Sequence, residues 1–205
     1  MTLLKKIKYN SPVTMTFTIL ALIATILGIA TKGDITALLF ETYRASFKDL
    51  LMYVRLFTHV LGHSGWNHYA SNMLLFLVVG PIVEERYGSK NFLEMIALTA
   101  LCTGIVNNIF FPHTALLGAS GIVFMCIILS SAGSIKDGEI PITFLLVFVI
   151  YVGREIISAV TVKDQVSQLT HIIGGLLGAL YGIFYAKETA AGRGPGSSKK
   201  NSAAK

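Results

Sequence analysis

Two residues carry the reactive chemistry of this 205-residue chain. Ser120 stands in Leu117-Gly118-Ala119-Ser120-Gly121, at the head of the apolar run 122–129. His171 stands in Thr170-His171-Ile172-Ile173-Gly174-Gly175-Leu176-Leu177-Gly178, inside a second apolar stretch. Polar side chains at membrane depth face a bundle interior or a water cavity, and by default they mark a functional site. A serine hydroxyl becomes a useful nucleophile when an adjacent base takes its proton, and His171 is the natural base.

The elements that must position this pair are membrane helices. The chain is 53% hydrophobic and 14% charged, with a mean hydropathy of +0.66, outside the range of ordinary soluble domains. Apolar stretches of about 17–25 residues cross a bilayer. The expected spans are 13–30, 67–83, 92–110, 120–132, 141–159 and 169–186. The fold class is therefore all-α: a polytopic membrane protein with six transmembrane helices around a central short helix carrying the nucleophile. Residues 1–12 are expected as a cytoplasmic N-terminus, 13–186 as one membrane domain, and 187–205 as a disordered basic cytoplasmic tail. Residues 31–65 read as a partly helical connection lying at the interface, since a structureless loop of that length is unusual.

Of the 17 Lys and Arg residues, eleven fall on the side of the two termini, which places both termini in the cytoplasm of a cell (plasma or inner) membrane protein. The net charge of +6 sits mainly at the chain ends, so it reads as topology and lipid contact, not nucleic-acid binding. Cys102 and Cys126 lie in apolar spans and read as packing residues.

The fourth span is short. Its thirteen residues make roughly 20 Å of helix, against a hydrocarbon core of about 30 Å. If it ends at the cytoplasmic face, Ser120 lies on the order of 10 Å below the outer surface, and the connection 112–117 dips into the membrane. Irregular backbone is tolerated there only when buried in protein or lining a water-filled cavity. The first N–H groups of that helix lack intrahelical partners, so the Ser120 amide is suited to hold an oxyanion. Serine is also a preferred N-cap, and a purely structural role for Ser120 stands beside the catalytic one.

His171, Gly174, Gly175 and Gly178 fall at i, i+3, i+4 and i+7, one face of a helix. Small residues there let two backbones approach, and against Gly118 and Gly121 they would bring imidazole to serine. Ordinary helix packing is the alternative. No acidic residue is well placed to orient His171, so a Ser–His dyad is the economical arrangement, with the ring packed against Phe124. His59, His63, His68 and Asn72 cluster at the start of span two, with His68 and Asn72 on one helical face. Their N–H groups are the kind that build oxyanion holes. A metal site and plain structural hydrogen bonding are the rivals, but no carboxylate or cysteine accompanies the histidines.

Taken together, His68-x-x-x-Asn72, Gly118-x-Ser120-Gly121 and His171-x-x-Gly174-x-x-x-Gly178, in that order along the chain, resemble the rhomboid intramembrane serine proteases in their minimal six-helix form. The resemblance covers about residues 50–185. It implies Ser120 as nucleophile and His171 as base, with His68, Asn72 and the Ser120 amide as oxyanion hole. It further implies structural support from Arg55 and from Glu84-x-Arg86-x-Gly88. Three positions depart from the family pattern: Val54 precedes Arg55 where tryptophan is usual, Thr170 precedes His171 where alanine is usual, and Phe124 replaces a tyrosine. None removes a catalytic group.

The resemblance implies an endopeptidase that cuts single-span membrane proteins near the outer end of their transmembrane segment, with no cofactor and no metal. Its expected partners are transmembrane substrates and the lipid bilayer. Two rivals remain: a transporter, which would predict repeat symmetry and embedded charge, and a non-catalytic rhomboid-like binder of membrane helices.

Overall fold

The computed structural model describes residues 10–132, 139–161 and 165–190. It contains eight α-helices among these residues: α1 Pro12–Ala30, α2 Asp34–Leu39, α3 Leu50–Thr58, α4 Trp66–Tyr87, α5 Ser89–Phe110, α6 Ser120–Ala132, α7 Ile142–Thr161 and α8 Gln165–Ala190. A 3-10 turn, His59–Leu61, continues α3. Among the described residues the named elements are all helical, and an isolated antiparallel bridge joins Thr42 and Leu116.

The helices bracket the apolar stretches of the sequence, with differences at their ends. α4 runs through Glu84, Glu85 and Arg86 to Tyr87 because the single residue Gly88, at φ 81°, makes the whole turn into α5. α8 begins before the sixth apolar run and continues to Ala190, so the first residues of the expected tail are helical. The lysines at 5, 6 and 8, the connections 133–138 and 162–164, and tail residues 191–205 lie outside the described residues. Three helices among the described residues are long and apolar enough to cross a membrane: α1, α5, and residues 168–188 of α8. α6 is apolar but short, and so is the apolar part of α7, Ile142–Gly153. α4 has the length but carries His68 and Asn72 near one end and three charges at the other.

α6 is buried on most of its circumference. Gly121, Ile122, Val123, Met125, Cys126, Ile128, Leu129 and Ala132 are all buried, and α4, α5, α7 and α8 pack against the helix. An all-round apolar helix is what such a position requires. Its closest neighbour is α8, where glycine removes the side-chain layer. A Cβ on Gly174 would stand 2.0 Å from the Gly121 carbonyl oxygen, and one on Gly178 2.5 Å from that of Met125. The order of these contacts, 121 with 174 and 125 with 178, makes the two helices parallel.

Glu84 fixes α1. Ser11, at the start of α1, makes no side-chain cap. The Glu84 carboxylate supplies one from another helix: it accepts the N–H groups of Val13 and Thr14 and the Thr14 hydroxyl, each at 2.9 Å, and the Ser89 hydroxyl at 2.7 Å. Negative charge at a helix N-terminus is favourable, and all four bonds are made by a residue only 3% exposed. Arg86 lies with its guanidinium carbon 5.8 Å from the centre of the Tyr87 ring.

The segment 31–65 is ordered around Arg55. Its guanidinium pairs with Asp49 at 2.6 Å, donates to the Leu38 carbonyl at 3.4 Å and covers the Tyr43 ring at 4.4 Å. Asp49 also caps α3 by accepting the Leu51 N–H at 3.0 Å. The Thr58 hydroxyl donates to the Leu39 carbonyl, and Gly62 packs so closely under the Phe40 carbonyl that no Cβ would fit. α3 turns Met52, Arg55 and Leu56 inward, whereas Leu50, Tyr53, Val54 and Phe57 are exposed along its other face.

Candidate active site

The head of α6 is held by main-chain bonds from the 31–65 segment. Leu116 exchanges two hydrogen bonds with Thr42, both 2.9 Å, and the Gly118 N–H donates to the His59 carbonyl at 3.0 Å. The Asn107 amide adds bonds to the carbonyls of Thr42, 3.3 Å, and Thr114, 3.0 Å. The first helical bond of α6 runs from the Val123 N–H to the Ala119 carbonyl, 2.9 Å. Ala119 is therefore the N-cap and Ser120 the first helical residue, so the Ser120 side chain is not spent on capping its own helix. Its amide belongs to the group of N–H donors with no intrahelical acceptor.

Gly118 adopts φ 119°, a conformation L side chains rarely take, and a side chain there would also collide. A Cβ on Gly118 would lie 2.8 Å from His68 Nε2 and 3.9 Å from Asn72 Nδ2. Two side-chain donors from α4 thus converge on the backbone two residues before Ser120. Asn72 spends one of its two amide hydrogens on the His68 carbonyl, 3.2 Å. His68 Nδ1 faces Ser64, and its Nε2 faces Gly118.

His171 lies at the same end of the α6–α8 contact. Its imidazole stacks on the Phe124 ring, with centroids 4.1 Å apart and planes 5° from parallel. Phe124 is one turn below Ser120 on the same face of α6. One turn beyond His171, Gly174 touches Gly121, the neighbour of Ser120, while a Cβ on Gly121 would meet Thr170 Cγ2 at 2.9 Å. Tyr151 of α7 meets Phe124 edge-on, with ring centroids 5.9 Å apart. Serine, imidazole and the two α4 donors therefore surround the head of one helix.

The remaining histidines of the cluster serve the scaffold. His59 is buried, with Nδ1 donating to the Arg55 carbonyl at 3.0 Å and Nε2 facing the Thr103 hydroxyl at 3.3 Å. Burial pushes its pKa down to about 4. His63 Nδ1 donates to the Leu61 carbonyl at 3.1 Å, and its ring sits edge-on to His68 at 4.9 Å. Of the expected support residues, Arg55 and Glu84 are the two most heavily bonded, and both act at a distance from Ser120.

Sequence reasoning did not single out three residues that organise this region. Asp49 carries the usual mark of an N-cap, an acid directly before an apolar periodic run, and was open to detection. Thr42 and Ser64 have no such signal, because their partners, Leu116 and His68, are matters of tertiary placement.

Comparison with known proteins gives consistent relatives. The profile of the Rhomboid domain matches residues 51–188. The rhomboid protease GluP of Bacillus subtilis is 41% identical over 73 residues, which is 36% of this chain and 14% of that protein. The rhomboid protease GlpG of Haemophilus influenzae is 23% identical over 186 residues, covering 78% of this chain and 94% of that protein. The chain thus spans a small part of the first and nearly all of the second.

Proposed function

The chain belongs to the rhomboid family of intramembrane proteases, and on that premise we propose that it is an active serine endopeptidase with Ser120 as nucleophile and His171 as general base. The observation that carries the proposal is the parallel α6–α8 contact, in which Gly121 meets Gly174 and Phe124 stacks on His171. It brings the serine and imidazole levels of two helices into register.

In this reading the Ser120 hydroxyl attacks the scissile carbonyl as His171 takes its proton, and the protonated imidazole then passes that proton to the leaving amine. The acyl group remains on Ser120 until water, activated by the same imidazole, releases it. Negative charge on the carbonyl oxygen is met by the Ser120 amide, by His68 Nε2–H and by the Asn72 amide. His171 is oriented by its stack on Phe124.

The chain is an integral membrane protein, and we assign six spans to α1, α4, α5, α6, α7 and α8, with both termini in the cytoplasm of a plasma or inner membrane. The exposed apolar face of α3, together with the exposed Phe47, suits a helix lying in the outer interface. Arg55 and Asp49 hold that helix to the rest of 31–65. Residues 13–186 act as one membrane domain. The substrates are single-span membrane proteins cut near the outer end of the span, where helix-relaxing residues free a peptide bond to reach Ser120.

The test is covalent labelling. A fluorophosphonate should modify the protein in lipid on Ser120, as located by mass spectrometry, and His171→Ala should abolish labelling while leaving the fold intact. Labelling at another serine, or labelling indifferent to His171, would contradict the assignment.

A further inference from the structure

His68 can place a proton toward the head of α6 only in one of its two neutral forms, and the structure contains the group that chooses between them. A neutral imidazole carries its hydrogen on Nδ1 or on Nε2, and the hydrogen bond made by one nitrogen dictates the state of the other. The Ser64 backbone N–H points at His68 Nδ1 at 3.4 Å, and the Ser64 hydroxyl lies 3.2 Å from the same nitrogen. A backbone N–H can only donate. Nδ1 must therefore present its lone pair, the hydroxyl adds a second donor to it, and the ring hydrogen falls on Nε2. Nε2 is the atom that faces Gly118, 2.8 Å from where a Cβ would stand.

The geometry points to Ser64 as a positioning residue for the hydrolytic reaction: its N–H and hydroxyl lock His68 in the Nε2–H form, which keeps an oxyanion donor aimed at the residues before Ser120. This rests on the assignment of His68 to the oxyanion hole. Ser64 itself is exposed and touches no reacting atom.

The surroundings support the lock. His63 packs edge-on against the His68 ring, 73° between planes, and so limits its rotation. The bond from His63 Nδ1 to the Leu61 carbonyl uses the ring hydrogen of neutral His63, which leaves no His63 N–H to compete with Ser64 for His68 Nδ1. Burial first, and the nearby His68 second, push the His63 pKa down to about 4, so this neighbour stays neutral at ordinary pH. Ser64 follows the 3-10 turn that carries His59, whose carbonyl holds the Gly118 N–H. One short segment thus sets both the backbone of the α6 head and the proton of its side-chain donor.

The experiment compares the full-length wild type with Ser64→Ala, Ser64→Thr and His68→Ala in lipid. One arm measures kcat and KM on a single-span reporter. The other records nitrogen spectra of protein labelled in its histidine rings, in which a lone-pair nitrogen and a protonated nitrogen resonate far apart. The wild-type His68 should show a lone-pair Nδ1 and a protonated Nε2. Ser64→Ala keeps the backbone N–H and removes the hydroxyl, so it should raise the minor Nδ1–H population and lower kcat about three- to tenfold, the worth of one modest hydrogen bond, with KM unchanged. Ser64→Thr should restore both. A wild-type His68 protonated on Nδ1 would overturn the proposal. So would a Ser64→Ala protein with wild-type spectrum and kcat, or a loss that threonine fails to restore. If His68→Ala cleaves at the wild-type rate, the oxyanion-hole assignment itself fails; if His68→Ala is impaired and Ser64→Ala is not, only the role of Ser64 fails.

Discussion

The imidazole of His171 lies flat on the ring of Phe124, 4.1 Å between centroids and 5° between planes. Phe124 belongs to the helix that begins with Ser120, so the helix that carries the proposed nucleophile also carries the surface against which the proposed base rests. Such a stack is worth about 0.5–1.5 kcal/mol beyond its buried area. Phe124→Leu should accordingly lower kcat roughly three- to tenfold by loosening the imidazole, with little change in KM. Phe124→Tyr should stay within about twofold of wild type, because it keeps the ring. Reporter kinetics and the rate of fluorophosphonate labelling check both.

The glycine face of α8 is a packing requirement that a control residue can isolate. Gly174→Ala drives a methyl into the Gly121 carbonyl, where backbone and not a flexible side chain must yield. Overpacking of this kind costs about 1–3 kcal/mol or more. It should depress the thermal midpoint in detergent and abolish labelling of Ser120. Gly153→Ala in α7 meets nothing within 4 Å and should be neutral or stabilising by about 0.5–1 kcal/mol.

Glu84 binds α1 to the α4–α5 junction through four hydrogen bonds from Val13, Thr14 and Ser89. Glu84→Gln replaces an acceptor-only carboxylate with an amide that has two donors and faces N–H groups. A loss of about 1–3 kcal/mol is expected. Thermal unfolding should fall, and proteolysis near residue 12 should quicken, while kcat of the folded fraction stays close to wild type.

Asp49 and Arg55 give the outer segment a pH dependence. The hydrogen bond from Arg55 holds the Asp49 carboxyl below its ordinary value of 3.8. A depressed pKa contributes stability that is fully present above the unfolded value and is lost as pH falls through the folded one. The wild-type thermal midpoint should therefore be flat from neutral pH to about 4 in this respect and decline below it. Asp49→Asn should start lower at neutral pH and show a weaker decline below pH about 4, measured by melts across that range.

The placement of Ser120 and His171 on their helices was more legible in the sequence than the scaffold around them. Ser120 begins a helix that ends at Ala132, as its flanking polar residues indicate, and the spacing of His171, Gly174 and Gly178 places them on the face that meets α6. Both features rest on local periodicity, which a single sequence displays. The capping of α1 by Glu84, a residue 70 positions away from Thr14, leaves no periodic trace. Neither does the bridge from Thr42 to Leu116, nor the bond from Ser64 to His68. These contacts pair irregular segments or helix ends, where one hydrogen bond decides the geometry and residue type says little about the partner. The last turn of α4 extends past the expected span 67–83 for a related reason: that turn is charged, and Glu84 is buried by partners that hydropathy does not register.

Whether Ser120 cuts peptide bonds is decided by cleavage of a single-span reporter by the purified protein in lipid, comparing wild type with Ser120→Ala. Wild type should make one new cut near the outer membrane edge of the reporter, and Ser120→Ala should make none. Equal cutting by both proteins, or no cutting by wild type across several reporters together with no labelling of Ser120, would contradict the assignment of Ser120 as nucleophile.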